Sequence, residues 1–303
     1  MNRGEVAWPV GGVELKGDSD PPSSGRRAPH GKALAGPAVT AAQMAQVDRR
    51  AMRGYGIGLT QMMELAGRNL GERARQMLGG SVDGRTVVVL CGLGNNGGGG
   101  MVAARHLHRW GAQVQAVLTG AESSLKAVPN RQWRILKRLG LADRAKTGPG
   151  SGRPDLIIDA ILGYGFHGRP RSRTARWIEW ANSRGCPILA LDLPSGLDAT
   201  TGIPSIPCIR AKATLTLALP KTGLLAPEAS AYTGDVYLAD IGIPAEVYRG
   251  LGYEVGHLFA NGAIVSLEEL KESWMRAGVG PERPADRGLR ADFGLDGRGR
   301  RSV

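Results

Sequence analysis

The sequence predicts an α/β fold in which a mostly parallel sheet is covered by helices on both faces. Six short apolar runs of strand length carry this reading: 86–91 (TVVVLC), 113–119 (QVQAVLT), 155–160 (DLIIDA), 187–192 (PILALD), 212–219 (KATLTLAL) and 235–240 (DVYLAD). Helical segments near 101–110, 129–139 and 173–184 alternate with the first four. Parallel strands require such crossovers, and ligands then sit beyond the carboxyl ends of the strands. At 303 residues the chain is long enough for one sizeable domain of this kind.

Taken in order, residues 1–36 are polar, rich in Pro and Gly and without periodicity, and read as a disordered lead. Thr40 and Gln43 form a capping box ahead of Met44, Val47 and Ala51, which share one helical face. A second helix spans about Thr60 to Leu78, and its apolar residues Met62, Met63, Leu65, Ala66 and Leu70 are assigned to core packing. The strand-and-helix region completes a domain over 37–265. Residues 266–303, above all 277–303, read as a second disordered segment of mixed charge.

The stretch after the first strand, CGLGNNGGGGMVAARHL, satisfies G-x-G-x-x-G through Gly92, Gly94 and Gly97. A dinucleotide-binding unit also needs an acid at the end of the second strand to hold a ribose hydroxyl, and that strand ends Leu118-Thr119-Gly120. A dehydrogenase is therefore disfavoured. No Lys-Ser or Lys-Thr follows the glycines, which excludes a Walker A loop. Glycines that admit a ligand to the backbone and free N–H groups opening a helix at Met101 still suit a phosphate.

Two further strand ends strengthen that expectation. Asp159 closes a strand ahead of AILGYGFHGRPR, and Asp192 closes another ahead of LPSGLDATTG, with Ser195 and Asp198 following. In a parallel sheet both loops lie on the same edge as the glycine loop. Oxygen donors of this kind suit a hard cation. His106 and His108 are two residues apart, so they do not share a helical face and read as surface or packing residues. Ser195 lies in P-S-G, not G-x-S-x-G, so no nucleophile elbow is present. Lys221 either faces the site or lies in a solvated turn.

Composition limits the function classes. Cys91, Cys186 and Cys208 show no metal or disulfide spacing, which fits a reducing compartment. No apolar run reaches membrane-spanning length, and no secretory leader is evident, so a soluble cytoplasmic protein is expected. The net charge of +12 concentrates between Gly97 and Trp180, with fourteen Lys/Arg against five Asp/Glu. Such a face attracts nucleic acid or a phosphate-rich small molecule, and no nucleic-acid motif is present.

The ordered motifs LTQMMELAG, VVVLCGLGNNGGGG with ARHL, DLIIDAILGYGFHGRPR, LALDLPSGLDATTG, ATLTLALPKTGL and GDVYLADIGIP span roughly Val39 to Val247. With them the chain resembles the NAD(P)H-hydrate epimerase family, that of the YjeF N-terminal domain. The resemblance implies a three-layer αβα sandwich with a Rossmann-like, mostly parallel sheet. It implies interconversion of the R and S epimers of hydrated NADH and NADPH (NADHX and NADPHX), whose S form a dehydratase repairs. It implies that Asn95, Asn96, Gly97, Gly98 and Gly99, with Gly163, Tyr164, Gly165, Phe166, His167, Gly168 and Arg169, line the substrate. Asp192 matches the family's substrate-contacting aspartate and is the candidate for the proton transfer. Asn96, Asp159 and Ser195 match its ligands for one K⁺ per subunit.

The family's loop usually reads GNNGGDG, and Gly99 stands where its aspartate would. That replacement motivates an alternative, a non-catalytic relative that binds a nucleotide or serves as an interaction protein. A third reading, nucleic-acid binding, would use the basic stretch Arg131–Arg176 with Trp133, Trp177 and Trp180 interleaved. Some members are fused to a dehydratase, but only about sixty residues follow DIGIP, so the dehydratase is expected on a separate chain. A homodimer is the base-rate expectation for an enzyme of this size.

Overall fold

The structure, a computed structural model, describes residues 38–143, 152–256 and 258–276. All six apolar runs form strands: β1 (Thr86–Cys91), β2 (Gln113–Leu118), β4 (Leu156–Ala160), β5 (Ile188–Leu191), β6 (Ala213–Leu217) and β7 (Asp235–Ala239). Two short strands that the sequence did not announce complete an eight-stranded sheet, β3 (Ala142–Asp143) and β8 (Ile264–Ser266). The strand order is β3-β2-β1-β4-β5-β6-β7-β8, parallel throughout except where β8 runs against β7. From β1 the chain winds outward through β2 and β3, then returns to the other side of β1 for β4. The crevice between the ends of β1 and β4 is thus the point where the winding reverses, where ligands of such sheets bind.

Helices α1 (Ala41–Gly54), α2 (Leu59–Met77), α3 (Asn95–Arg109), α4 (Ala127–Arg138) and α5 (Ser172–Ser183) precede the short α6 (Ser230–Thr233) and α7 (Ala245–Arg249), and α8 (Leu267–Arg276) follows β8. β8 and α8 therefore continue past the expected boundary at 265. The disordered segments anticipated at 1–36 and 277–303 lie outside the described residues. The capping box forms as expected: the Thr40 hydroxyl accepts from the Gln43 N–H while the Gln43 side chain accepts from the Thr40 N–H.

Alternate residues of each central strand feed opposite faces. Val87, Val89 and Cys91 of β1 and Leu156, Ile158 and Ala160 of β4 pack with Leu70, Met101 and Trp133 from α2, α3 and α4. Val88, Leu90 and Ile157 pack with Trp177 and Ile178 of α5. Helices thus cover both faces of the sheet, as the patterning implied. Trp133 and Trp177 are each at most 5% exposed and sit on opposite sides of the sheet. They cannot serve together as one stacking platform for bases. Leu65, assigned to the core by its spacing, is 41% exposed.

The glycine segment needs the larger correction. It is not a loop opening a helix at Met101, because α3 begins at Asn95 and Gly97, Gly98, Gly99 and Gly100 form its first turns, all buried. Their missing side chains let the helix touch its neighbours. A Cβ at Gly97 would overlap the Gly92 backbone, one at Gly98 would fall 2.6 Å from the Met63 thioether, and one at Gly100 would fall 2.5 Å from Ala160 Cβ. On α2, Gly67 makes the reciprocal close contact with Val102.

These contacts generate a stability prediction. Gly100→Ala forces a helix away from β4 and is expected to destabilise the protein by about 1–3 kcal/mol, the usual overpacking range. Gly54→Ala in α1 places its Cβ 3.8 Å from Arg50 Cγ and is expected to be neutral or stabilising. Urea unfolding of both variants checks the contrast.

Candidate functional site

A cavity of about 530 Å³ opens at the reversal of the sheet winding. Loops after β1 and β4 form its rim, α2 and the start of α3 one wall, and the ends of β5 and β6 its floor. Of the residues that resemblance assigned to substrate, Asn95, Asn96, Gly99, Gly163, Tyr164, Gly165, Phe166 and Asp192 line it. Gly97 and Gly98 do not, being consumed by helix packing. His167, Gly168 and Arg169 are exposed and lie off the cavity wall, because the loop turns outward after Phe166.

Asp192 reaches the floor through a strained turn. Its φ is +69°, rare for a residue with a Cβ, and the Leu193 N–H donates to the Leu191 carbonyl at 2.9 Å across it. The Asp192 N–H still extends the sheet by donating to Leu215 O at 2.8 Å. The neighbouring strand bends in the same way: Ala218 has φ +63°, with the Leu219 N–H donating to Leu217 O at 2.7 Å. Such conformations cost on the order of 1–3 kcal/mol each and persist where surrounding structure enforces them.

The paired bends bring two charges together. Lys221, just past the second bend, folds back so that its Nζ donates to Leu217 O at 2.8 Å and Thr216 Oγ1 at 3.3 Å. The same Nζ lies 2.6 Å from Asp192 Oδ1, and both side chains are at most 4% exposed. Of the two sequence-based alternatives for Lys221, the solvated turn is thus excluded. The Tyr164 N–H donates to the second oxygen, Asp192 Oδ2, at 2.8 Å.

Behind the cavity Asp159 is fully buried. It accepts from the Ser195 hydroxyl at 2.6 Å, the Ser195 N–H at 2.8 Å and the Ile161 N–H at 3.2 Å. Burial nevertheless pushes its carboxyl up to about 6, against the lowering effect of those bonds. Among the described residues no cation pairs with it. The Ser195 hydroxyl accepts from the Leu162 N–H at 2.9 Å, and a Cβ at Gly163 would lie 3.2 Å from Asn96 Oδ1. Asn96, Asp159 and Ser195 therefore gather around the start of one loop. The Asn96 amide donates to Leu191 O at 3.2 Å. No cluster of three or more His, Cys, Asp or Glu occurs among the described residues, and His106 packs at a tilt against the Trp110 ring, their centroids 5.5 Å apart.

The sequence reading passed over Asp48, Thr119, Gly120 and Lys126, all on the cavity wall. Asp48 had a visible signal: it is a carboxylate on the same helical face as Met44, Val47 and Ala51. Met62 and Met63 pack in the core as expected and also face the cavity.

Residues 59–223 match the YjeF-related protein N-terminus family, which takes in the rim, the floor and both strained bends. The chain belongs to that family. A relative from Dehalogenimonas lykanthroporepellens, "NAD(P)H-hydrate epimerase", is 42% identical over 214 residues, which cover 71% of this chain and 85% of that protein. An epimerase of the same name from Nitrosopumilus maritimus is 34% identical over 70% of this chain and 99% of its own length. A "Bifunctional NAD(P)H-hydrate repair enzyme Nnr" from Moorella thermoacetica is 38% identical, and the match takes in 41% of it. The crystal structure of yeast ynu0 (YNL200c) superposes with a TM-score of 0.64 at 26% identity, covering 76% of this chain and all of that one. The YjeF-type assignment and the three-layer αβα sandwich drawn from the motifs thus hold. Among the described residues no helix is long and apolar enough to cross a membrane.

The buried pair yields the site's own prediction. Lys221→Met leaves the Asp192 carboxylate buried without its counter-charge, and is expected to cost about 3–5 kcal/mol. Adding Asp192→Asn in the same chain removes the orphaned charge and is expected to restore most of that loss, a double-mutant coupling that chemical denaturation reads directly.

Proposed function

We propose that the protein is an NAD(P)H-hydrate epimerase that interconverts the R and S forms of NADHX and NADPHX. The observation that carries the reading is Asp192, a carboxylate fixed on the floor of a cavity at the sheet's reversal point in a chain whose relatives bear that name. Epimerisation at the hydrated carbon needs a reversible loss of configuration, by ring opening or by departure and return of the hydroxyl. Either route moves a proton onto or off the substrate oxygen. A positioned carboxylate contributes typically 10²–10⁴-fold to such a step. Asn95, Asn96 and Gly99 at the start of α3, with Gly163, Tyr164, Gly165 and Phe166, would contact the nucleotide, and the helix N-terminus favours its phosphates.

Asn96, Asp159 and Ser195 would hold one K⁺. The buried carboxylate without a cationic partner fits that assignment, and the ion would supply the missing positive charge and order the adjoining loop. A separate dehydratase chain would remove the S epimer, a homodimer is the expected assembly, and a cytoplasmic location suits the three free cysteines. Gly99 supports no competing reading by itself: a Cβ there meets only Leu191 Cδ2, at 2.8 Å, within a cavity that otherwise stays open.

Two measurements test the proposal. Purified R-NADPHX followed by chromatography is expected to convert to the S epimer far above its spontaneous rate when the protein and K⁺ are present; no acceleration would refute the activity. The K⁺ assignment is tested through pH. Asp159 binds its proton more tightly folded (about 6) than unfolded (3.8), so in potassium-free buffer its contribution to stability is lost as pH rises through about 6. K⁺ offsets that loss only where the carboxylate is ionised. The thermal midpoint in KCl is therefore expected to exceed that in choline chloride by more at pH 8 than at pH 5, and equal midpoints at pH 8 would remove the site.

A further inference from the structure

Asp48 lies on the buried face of α1, and its carboxyl is raised above the usual carboxylate range, chiefly by burial. A carboxylate in such a place needs a partner. The Tyr164 hydroxyl supplies it by donating to Asp48 Oδ2. The same tyrosine's N–H donates to Asp192 Oδ2 at 2.8 Å, so one residue is held at its ring end by α1 and at its main-chain end by the strand-end carboxylate. Tyr164 stands between Gly163 and Gly165, where the backbone is least restricted, and two fastenings matter most there. Its ring centroid is 5.7 Å from Lys221 Nζ, the cation paired with Asp192.

Helix α1 is itself fastened to this corner. The Val39 N–H donates to Pro220 O at 2.8 Å and the Thr222 N–H donates to Val39 O at 3.0 Å, a parallel bridge onto Lys221 directly before the capped start of the helix. The segment matched to the family begins at Leu59, beyond α1. Nothing in that match accounts for a carboxylate delivered from α1 to the cavity wall.

We propose that Asp48 is a positioning residue that orients Asp192 through Tyr164. Anchoring the tyrosine ring keeps its N–H on Asp192 Oδ2 while Lys221 holds Oδ1, so the carboxylate keeps one orientation toward the cavity. A loosened Tyr164 leaves Asp192 paired with Lys221 but free to swing about that contact. Misplacement on the scale of an ångström costs up to about 100-fold in rate. The kinetic consequence rests on the epimerase reading; the ordering of the loop does not.

The test combines hydrogen exchange over 162–168, read by mass spectrometry, with the kinetics of R-NADPHX conversion. Asp48→Ala and Tyr164→Phe are each expected to speed exchange in that segment and to lower kcat by roughly 10–100-fold with little change in KM. The double variant is expected to lose no more than either single one, because both break the same link. Asp48→Asn, whose amide oxygen still accepts from the tyrosine, is expected to retain most of the rate, and Met52→Ala on the exposed side of α1 to change neither readout. Additive losses in the double variant, unchanged exchange in Asp48→Ala, or normal kcat with a loosened loop would each overturn the proposal. Should Asp48→Ala fail to fold, a normal rate in Tyr164→Phe does so instead. If the wild-type protein converts no NADPHX, the epimerase reading has failed, and exchange alone decides whether Asp48 holds the loop.

Discussion

The ion pair between Lys221 and Asp192 is the interaction on which this site depends. Two nearly dry charges 2.6 Å apart must be matched, since either one left alone costs several kcal/mol. Meeting that condition requires β5 and β6, adjacent in the sheet, to bend sharply at their ends, each through a residue with positive φ. It also requires the chain after β6 to turn back, which the bridge from Val39 to the Lys221 segment enforces. The strain at Asp192 and Ala218 is therefore not incidental. It aims a carboxylate into the cavity instead of along the strand, and the lysine beside it keeps that geometry fixed.

A second constraint shapes the opposite wall. Helix α3 packs so closely on the chain just past β1, on Met63 of α2 and on Ala160 of β4 that Gly97, Gly98 and Gly100, respectively, have no room for a side chain. The approach brings Asn95 and Asn96 to the mouth of the crevice and sets the helix N-terminus against it. Glycine thus serves this helix mainly through packing, and of the four α3 glycines Gly99 alone combines burial with a place on the cavity wall. An aspartate there would project toward Leu191, near the floor that Asp192 already charges. Its absence leaves this cavity with Asp48 and Asp192 as its carboxylates among the described residues.

Much of this was legible beforehand. Nearly continuous apolar runs such as VVVLC and LIIDA marked the central strands within a residue or two, because a strand buried on both faces leaves few alternatives. Asp192 stood out as a strand-end carboxylate ahead of a Gly-bearing loop, whereas Asn96 and the Gly163–Phe166 loop were singled out through the family resemblance, and the structure sets all of them on the cavity wall. The start of α3 was not: glycine's poor helix propensity argued for a loop, and tertiary packing overrode it. β3 and β8, two and three residues long, carry too little pattern to announce themselves. The burial of Lys221 depended on a bend at Ala218 that a β-rich run gives no hint of. Asp48 is masked in the sequence by the apolar residues Met44, Val47 and Ala51 that share its helical face.

In the proposed reaction Asp192 acts in the chemical step and not merely in holding the substrate. Single-turnover conversion of R-NADPHX by Asp192→Asn, with the variant in excess and its NADPHX affinity measured by calorimetry, separates the two. The variant is expected to bind within about tenfold of the wild-type affinity and to convert at a rate lower by roughly 10²–10⁴-fold. A variant that converts bound substrate at the wild-type rate, or one that loses rate only in proportion to lost affinity, would contradict it.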